Sequence, residues 1–296
     1  QMPNSIALAT KYEPILDELY AAESRSAILD AANSDIKWIG ADTVKLPKMA
    51  LDGLADYNRN VGFVAGSETL TWGTYQLTHD RGVSYTIDRM DDEESLGTAF
   101  GRLASQFVRV HEVPEVDAVR FSSYASAVTP VKADITVGTT DVPGLIDVGT
   151  QAMDEAEVPY EGRILFVSPK AYAGLKAKIT RYLANETEVQ RNIEMYNDMR
   201  VITVPQSRFN TLVTLNDGSL KFGFEPTAGG YKINFMIIHP SAVAQPIKHR
   251  IANIFTPDQN ILADGYRVNL RTYYDAFVLE NKTSGIYCHC ANTANV

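Results

Sequence analysis

The chain is 296 residues long and carries 27 Lys and Arg against 36 Asp and Glu, a formal net charge of −9 at pH 7. Its 45% hydrophobic content is enough to fill one large or two smaller domains, and the acidic balance argues against a protein that grips nucleic acid through its phosphates. Two cysteines exclude a disulfide scaffold and fit a reducing compartment; no apolar run nears the roughly 20 residues of a membrane span, and no signal peptide is visible.

Residues 1–10 read as loosely structured. Ile15, Leu19, Ala22, Ser26 and Leu29 then recur at three or four residues and predict an amphipathic helix. Pro14 suits its first turn, where a missing N–H costs nothing. From Asp42 to Asp88 the period changes to two. Val44 and Leu46 alternate before Pro47, then Leu70 and Trp72, Tyr75 and Leu77, and Val83, Tyr85 and Ile87. Gly73 is expected at a bulge between the middle pairs. Residues 51–67 carry Gly53, Asp56, Asn58, Asn60, Gly62 and Gly66, which is turn chemistry over a long stretch. The reading is an exposed β-hairpin of roughly 45 residues, too poor in apolar residues at its tip to bury itself. An arm of this kind needs a partner surface.

Leu96, Phe100, Leu103, Phe107 and Val110 predict the strongest helix, from about 92 to 111, about 30 Å long. Asp91, Asp92, Glu93 and Glu94 precede it. They have the look of a magnesium or acid–base cluster, but at a helix start they cap free N–H groups and oppose the dipole, and that is the reading adopted. Pro114 ends or kinks this helix. A second helix, 115–126, is apolar on several sides and is expected to be buried. Residues 128–140 read as strand and loop, and 142–157 as a helix. Residues 163–168 form a short buried strand ended by Pro169, which opens a helix to about 183 with Tyr172, Leu175, Ile179 and Leu183 on one face. Further strands are expected at 201–204, 235–238, 267–278 and 285–289. Strands and helices mix without strict βαβ alternation, so the class is α+β.

Motifs that carry chemistry are missing from the sequence: there is no GxxxxGK[ST] loop, no HExxH, no CxxC and no GxSxG elbow around Ser168 or Ser207. Gly229 and Gly230 read as a turn. His79, His111, His239, His249 and His289 are scattered. In a strand, Cys288 and Cys290 point to one face and His289 to the other, so one metal could not easily take all three, and packing is the expectation. Asn185 and Asn281 sit in glycosylation patterns that are inert without a secretory route. No catalytic residue, metal or cofactor is expected. A soluble α+β enzyme whose catalytic residues converge from distant segments stays an alternative.

The order of parts resembles a known family. A helical arm, a long hairpin, a long acid-capped helix, a mixed α+β insertion and closing strands are similar to the tailed-bacteriophage major capsid proteins of the Hong Kong 97 fold. Several phrases resemble that family too: residues 6–12 (IALATKY), 70–72 (LTW), 80–82 (DRG) and 90–94 (MDDEE). Later come residues 163–169 (RILFVSP), 204–209 (VPQSRF), 233–240 (INFMIIHP), 245–249 (QPIKH) and 285–287 (GIY). Each is weak alone, and their joint order carries the resemblance.

The resemblance implies an N-terminal arm at 1–40 and an extended loop at 41–90. It also implies a peripheral domain of 91–135 and 240–296 with its spine helix at 92–111, and an axial domain at 136–239. It implies a head protein, without catalysis, that assembles with itself as hexamers and pentamers of an icosahedral shell in the host bacterial cytoplasm. The shell encloses double-stranded DNA without sequence-specific contact, and a charge of −9 is compatible with a wall that contains DNA without holding it. Portal and scaffolding proteins, and a decoration protein, are the implied further partners; no membrane is. Candidate intersubunit contacts are Trp72 and Tyr75 as apolar anchors, with Asp56, Arg59, Glu68 and Arg81 setting register. Packing at the hairpin base is the alternative for the two aromatics. The nearest alternative family is the encapsulins, which resemble the same fold and enclose an enzyme. The family-like start lies within six residues of Gln1, so a scaffolding segment is expected either to have been cleaved or to be a separate protein. Lys45 and Lys48 lie near the hairpin base, but no motif marks either for crosslinking.

Overall fold

A computed structural model describes residues 23–30, 37–39, 42–53, 57, 59, 68–88, 105–179, 193–255, 257–260 and 264–295. The expected helix over 14–29 lies mostly outside them. So do residues 91–104, with the acidic cap and the first part of the long helix, most of the hairpin tip, and the end of the helix predicted to reach 183. The described end of the helix expected over 14–29 is corrected: residues 24–26 leave the helical path, where Asp117 holds them, and 27–30 form a 3-10 turn.

β1 (Lys37–Ile39), β2 (Thr43–Leu51) and β3 (Glu68–Gln76) form an antiparallel sheet in the order β1-β2-β3. The β2–β3 hairpin keeps an unbroken register from Thr43 opposite Gln76 to Leu51 opposite Glu68. Two expectations are corrected here. Pro47 lies inside β2 rather than after it: β1 reaches only to Lys45, so beyond that residue β2 has an open edge where a proline is tolerated. Gly73 forms no bulge and sits opposite Leu46 in regular register. A Cβ there would lie 2.9 Å from the Tyr75 ring, so glycine clears space for that ring. The hydrophobic period shifts because the strand uses both faces, Tyr75 on one and Trp72 on the other.

β4 (His79–Asp88) follows after two residues but joins a different sheet. Its half-buried Val83, Tyr85 and Ile87 alternate with exposed residues as the sequence predicts. Residues 105–126 form one continuous helix. It contains a π segment, Val108–Glu112, and continues as α1 (Val113–Ser126). Pro114 therefore does not end the helix. The widened turn lies just before it, where a proline ring crowds the preceding carbonyls and one hydrogen bond is lost. α1 is buried nearly all round, including Glu115, Asp117 and Arg120.

β5 (Val131–Lys132), α2 (Val142–Glu155), β6 (Ile164–Val167) and α3 (Pro169–Ile179) come next. The Ser168 hydroxyl accepts the Ala171 N–H at 3.2 Å and caps α3, with Pro169 in its first turn. β7 (Met195–Tyr196) and β8 (Met199–Thr203) are joined through Asn197 and Asp198, both at positive φ, as a tight hairpin requires. β9 (Val213–Leu215) and β10 (Phe224–Pro226) form a small hairpin that sequence patterning did not reveal. β11 (Tyr231–Ile238), β12 (Val243–Ala244), β13 (Ile247–Phe255), β14 (Gly265–Tyr274), β15 (Phe277–Val278) and β16 (Ile286–Ala294) close the chain. β13 went unpredicted because its apolar Ile251, Ile254 and Phe255 do not alternate in the sequence.

The six-stranded sheet β5-β16-β11-β6-β8-β7 is the centre of the fold. Leu165, Val167, Phe235 and Ile237 face α2 and α3, meeting Ile146, Met153, Ala171 and Leu175. Ile164, Phe166, Met236 and Ile238 face the other way, onto Phe121 and Tyr124 of α1, Phe209 and Leu29. Burial on both faces explains the continuous apolar runs at 164–167 and 235–238. Gly149 of α2 allows the close approach of β16, since a Cβ there would lie 2.8 Å from the Tyr287 ring. The π segment and the first half of α1 cover one face of a second antiparallel sheet, β13-β14-β4, through Val108, Val113, Val116 and Val119 against Val268, Leu270 and Tyr274.

Candidate assembly surface

The hairpin base is seated on the subunit body by a small core of Val44, Leu46, Leu77 and Ala244, flanked by Tyr75, Tyr273, Phe277 and Leu279. The Tyr75 and Phe277 rings lie 5.1 Å apart. Polar clamps surround this core. The Thr78 N–H and hydroxyl both donate to Asp275 at 2.9 Å, and the Tyr273 hydroxyl donates to the Leu77 carbonyl at 2.9 Å. Lys48 pairs with Glu280 at 2.9 Å on the surface, and that partner lowers the Glu280 pKa and raises that of Lys48. The Gln76 amide donates to Asp42 at 2.7 Å, which holds that carboxyl below its usual range.

The candidate contacts are distributed as follows. Tyr75 packs within its own subunit. Trp72 stands on the opposite face, 37% exposed, with the Lys37 ammonium 4.6 Å from its ring. Lys248 caps Trp38 in the same way, at 4.3 Å. Arg59 is exposed. Glu68 begins β3 opposite Leu51. Asp56 lies outside the described residues. Arg81 is engaged inside the subunit: its Nε and Nη2 donate to the two Glu115 carboxylate oxygens at 2.7 and 3.2 Å, and Nη1 donates to the Asn216 carbonyl at 2.7 Å. The Glu115 carboxylate raises the Arg81 pKa accordingly.

A second clamp holds residues 24–26. The fully buried Asp117 carboxylate accepts from the Ser24 and Ser26 hydroxyls at 2.7 Å each and from the Arg25 N–H at 3.0 Å. Arg208 adds a charged contact at 3.2 Å, and Arg120 donates to the Ser26 hydroxyl at 2.8 Å. Sequence patterning missed this cluster because its members lie about ninety residues apart in the chain. Beside it, Ile28, Tyr172, Val201 and Ile202 help line an open recess of about 620 Å³.

Cys288 and His289 lie on opposite faces of β16, as expected. Cys288 belongs to the core beneath α1, and His289 stacks on Phe235 at 4.8 Å. Both thiols are free, and burial raises their pKa, which keeps them protonated and unreactive. Among the described residues, no group of three His, Cys, Asp or Glu is placed to hold a metal ion. No helix among them is long and apolar enough to cross a membrane.

No protein family and no curated protein matches the sequence. Solved structures do match, along nearly the whole chain. The capsid structure of cyanophage P-SCSP1u superposes with a TM-score of 0.62 at 11% identity, covering 86% of this chain and 85% of that one. A structure of Gordonia phage Cozz gives 0.62 at 12% identity, over 90% and 86%. The mature capsid of bacteriophage PhiM1 gives 0.57 at 13% identity, over 85% and 82%. At these coverages the likeness takes in most of the chain, so this chain has the fold of phage capsid structures.

Proposed function

We propose that this chain is the major capsid protein of a tailed phage, assembling with copies of itself as hexamers and pentamers of an icosahedral shell around double-stranded DNA. The observation that carries the reading is the extent of the structural likeness: 82–86% of three phage structures is matched by 85–90% of this chain. The subunit's own surfaces support it. A two-stranded arm continues past a well-anchored base, and Trp38, Ile39 and Trp72 are exposed around it. The protein works as a wall rather than a catalyst, located in the virion after assembly in the host cytoplasm, with portal, scaffolding and decoration proteins as further partners.

The proposed division is an arm at 1–40, an extended loop at 41–90, a peripheral domain of 91–135 and 240–296, and an axial domain at 136–239. β5 and β16 pair with each other in the six-stranded sheet beside the axial strands, so in this reading the peripheral and axial parts share that sheet. Trp72, Arg59, Glu68 and Asp56 are proposed as contacts to neighbouring copies. In this reading Tyr75 acts on assembly by fixing the arm's base and Arg81 by fixing the β9–β10 turn.

Electron microscopy of the purified chain tests this reading, with closed particles tens of nanometres across as the expected result. A chain that stays monomeric under all salt and scaffold conditions overturns it. Replacing residues 52–67 by a two-residue Asn-Gly turn is expected to preserve the subunit's unfolding midpoint and abolish assembly.

A further inference from the structure

The turn between β9 and β10 exposes two large apolar side chains to water. Leu220 is 96% exposed and Phe222 is 79% exposed. Neither contributes appreciably to the subunit's core, yet the turn that presents them is firmly built. The Asn216 N–H donates to the Gly223 carbonyl at 2.9 Å, and the Gly218 N–H donates to the Lys221 carbonyl at 3.1 Å. Asp217 accepts the Ser219 N–H at 3.0 Å and its hydroxyl at 2.6 Å. Gly218 and Gly223 both take positive φ, where a side chain would be strained. The Phe222 ring leans over Gly218, whose missing Cβ would stand 3.2 Å from it.

The tip is also oriented from outside. Arg81 of β4, held by Glu115 of α1, donates to the carbonyls at both ends of the turn, Asn216 at 2.7 Å and Gly223 at 3.4 Å. A strand and a helix of the subunit body thus set the attitude of the apolar knob. The charges around the knob are Asp217, Lys221 and Glu225, with Lys221 and Glu225 paired at 2.9 Å. An apolar centre with a mixed polar rim is the anatomy of a protein interface. The absence of a basic excess in this rim disfavours a phosphate-bearing surface.

We propose that Leu220 and Phe222 form an intersubunit knob that docks on a second copy of this chain. The partner follows from the shell reading, on which this inference rests: in a shell of identical subunits, the surface every copy meets is another copy. A knob fixed by Arg81 presents the same shape from every subunit, so ordering it on docking costs little.

The test compares wild type with Leu220→Ser/Phe222→Ser, two exposed changes expected to leave the subunit's circular dichroism and unfolding midpoint intact. The concentration needed for assembly, read by sedimentation and electron microscopy, is expected to rise by about tenfold or more, as loss of an interface anchor implies. Equal assembly thresholds and identical particles overturn the knob and leave the shell reading standing. Wild-type protein that forms no particle overturns the shell reading and, with it, the partner named here. A photo-crosslinking phenylalanine analogue at position 222 supplies a second readout. Subunit–subunit adducts in assembled particles support the proposal, whereas adducts only to a different protein, or none, overturn it.

Discussion

The six-stranded sheet and the two three-stranded sheets solve the same burial problem in opposite ways. The larger sheet has α2 and α3 on one face and α1 on the other, and Phe166, Phe235, Met236 and Ile237 are fully buried within it. The β1-β2-β3 sheet places Val44, Leu46 and Tyr75 inward while Trp72 stays on an open face under Lys37. The β13-β14-β4 sheet has α1 on one face and exposed Gly82, Ser84 and Thr86 on β4. A sheet covered twice buries both its apolar faces within its own subunit. A sheet covered once leaves a surface that a neighbour can use, which suits a subunit built to be tiled.

This contrast can be broken from either side. The largest effect is expected from Phe235→Ala in the doubly covered sheet, where lost burial and a cavity beside His289 and Tyr287 cost about 3–5 kcal/mol in urea unfolding. Next comes Asp117→Ala. It removes the acceptor shared by Ser24, Ser26, Arg25 and Arg208 and leaves charged and polar donors buried. The expected loss is about 3 kcal/mol, with faster hydrogen exchange at the Arg25 and Ser26 amides. If exchange there is unchanged, the clamp does not hold this segment.

A pH effect should be smaller. Burial holds the His289 imidazole below its ordinary value of 6.5, so the unfolded chain takes up that proton more readily than the folded one. Its contribution to stability is complete above about pH 6.5 and is lost as pH falls through the lowered folded value. Among the described residues, Nε2 has no hydrogen-bond partner, while Nδ1 lies 3.2 Å from the Asn234 amide. His289→Gln is therefore expected to flatten the decline in unfolding free energy between about pH 7 and about pH 5. The smallest effect is expected from Lys48→Ala. Its ion pair with Glu280 is exposed, so the unfolding midpoint of the isolated subunit should not move.

Much of the doubly covered region was legible from residue order. The apolar runs at 164–167 and 235–238, Pro169 opening a helix after Ser168, and the alternation of Cys288 and His289 all arise from local rules. The one-sided regions were less so. Gly73 looked like a bulge because the apolar period changes there, whereas the strand stays in register and uses both faces. Arg81 read as a surface charge, and only the fold brings Glu115 and the Asn216 carbonyl to it. Leu220 and Phe222 gave no periodic signal, because an exposed turn need not follow a helical or strand period.

The sequence by itself determined the α+β class, most of the major elements and the capsid-like order of parts. The class and the elements rest on hydrophobic period, proline position and capping, which act over a few residues, while the capsid-like order rests on the resemblance to a family. Tertiary structure alone decided which sheet β4 joins, how Asp117 clamps the segment before β1, and where the β9–β10 knob points. Each of these depends on groups tens to almost two hundred residues apart, whose pairing is set by packing geometry rather than by local pattern.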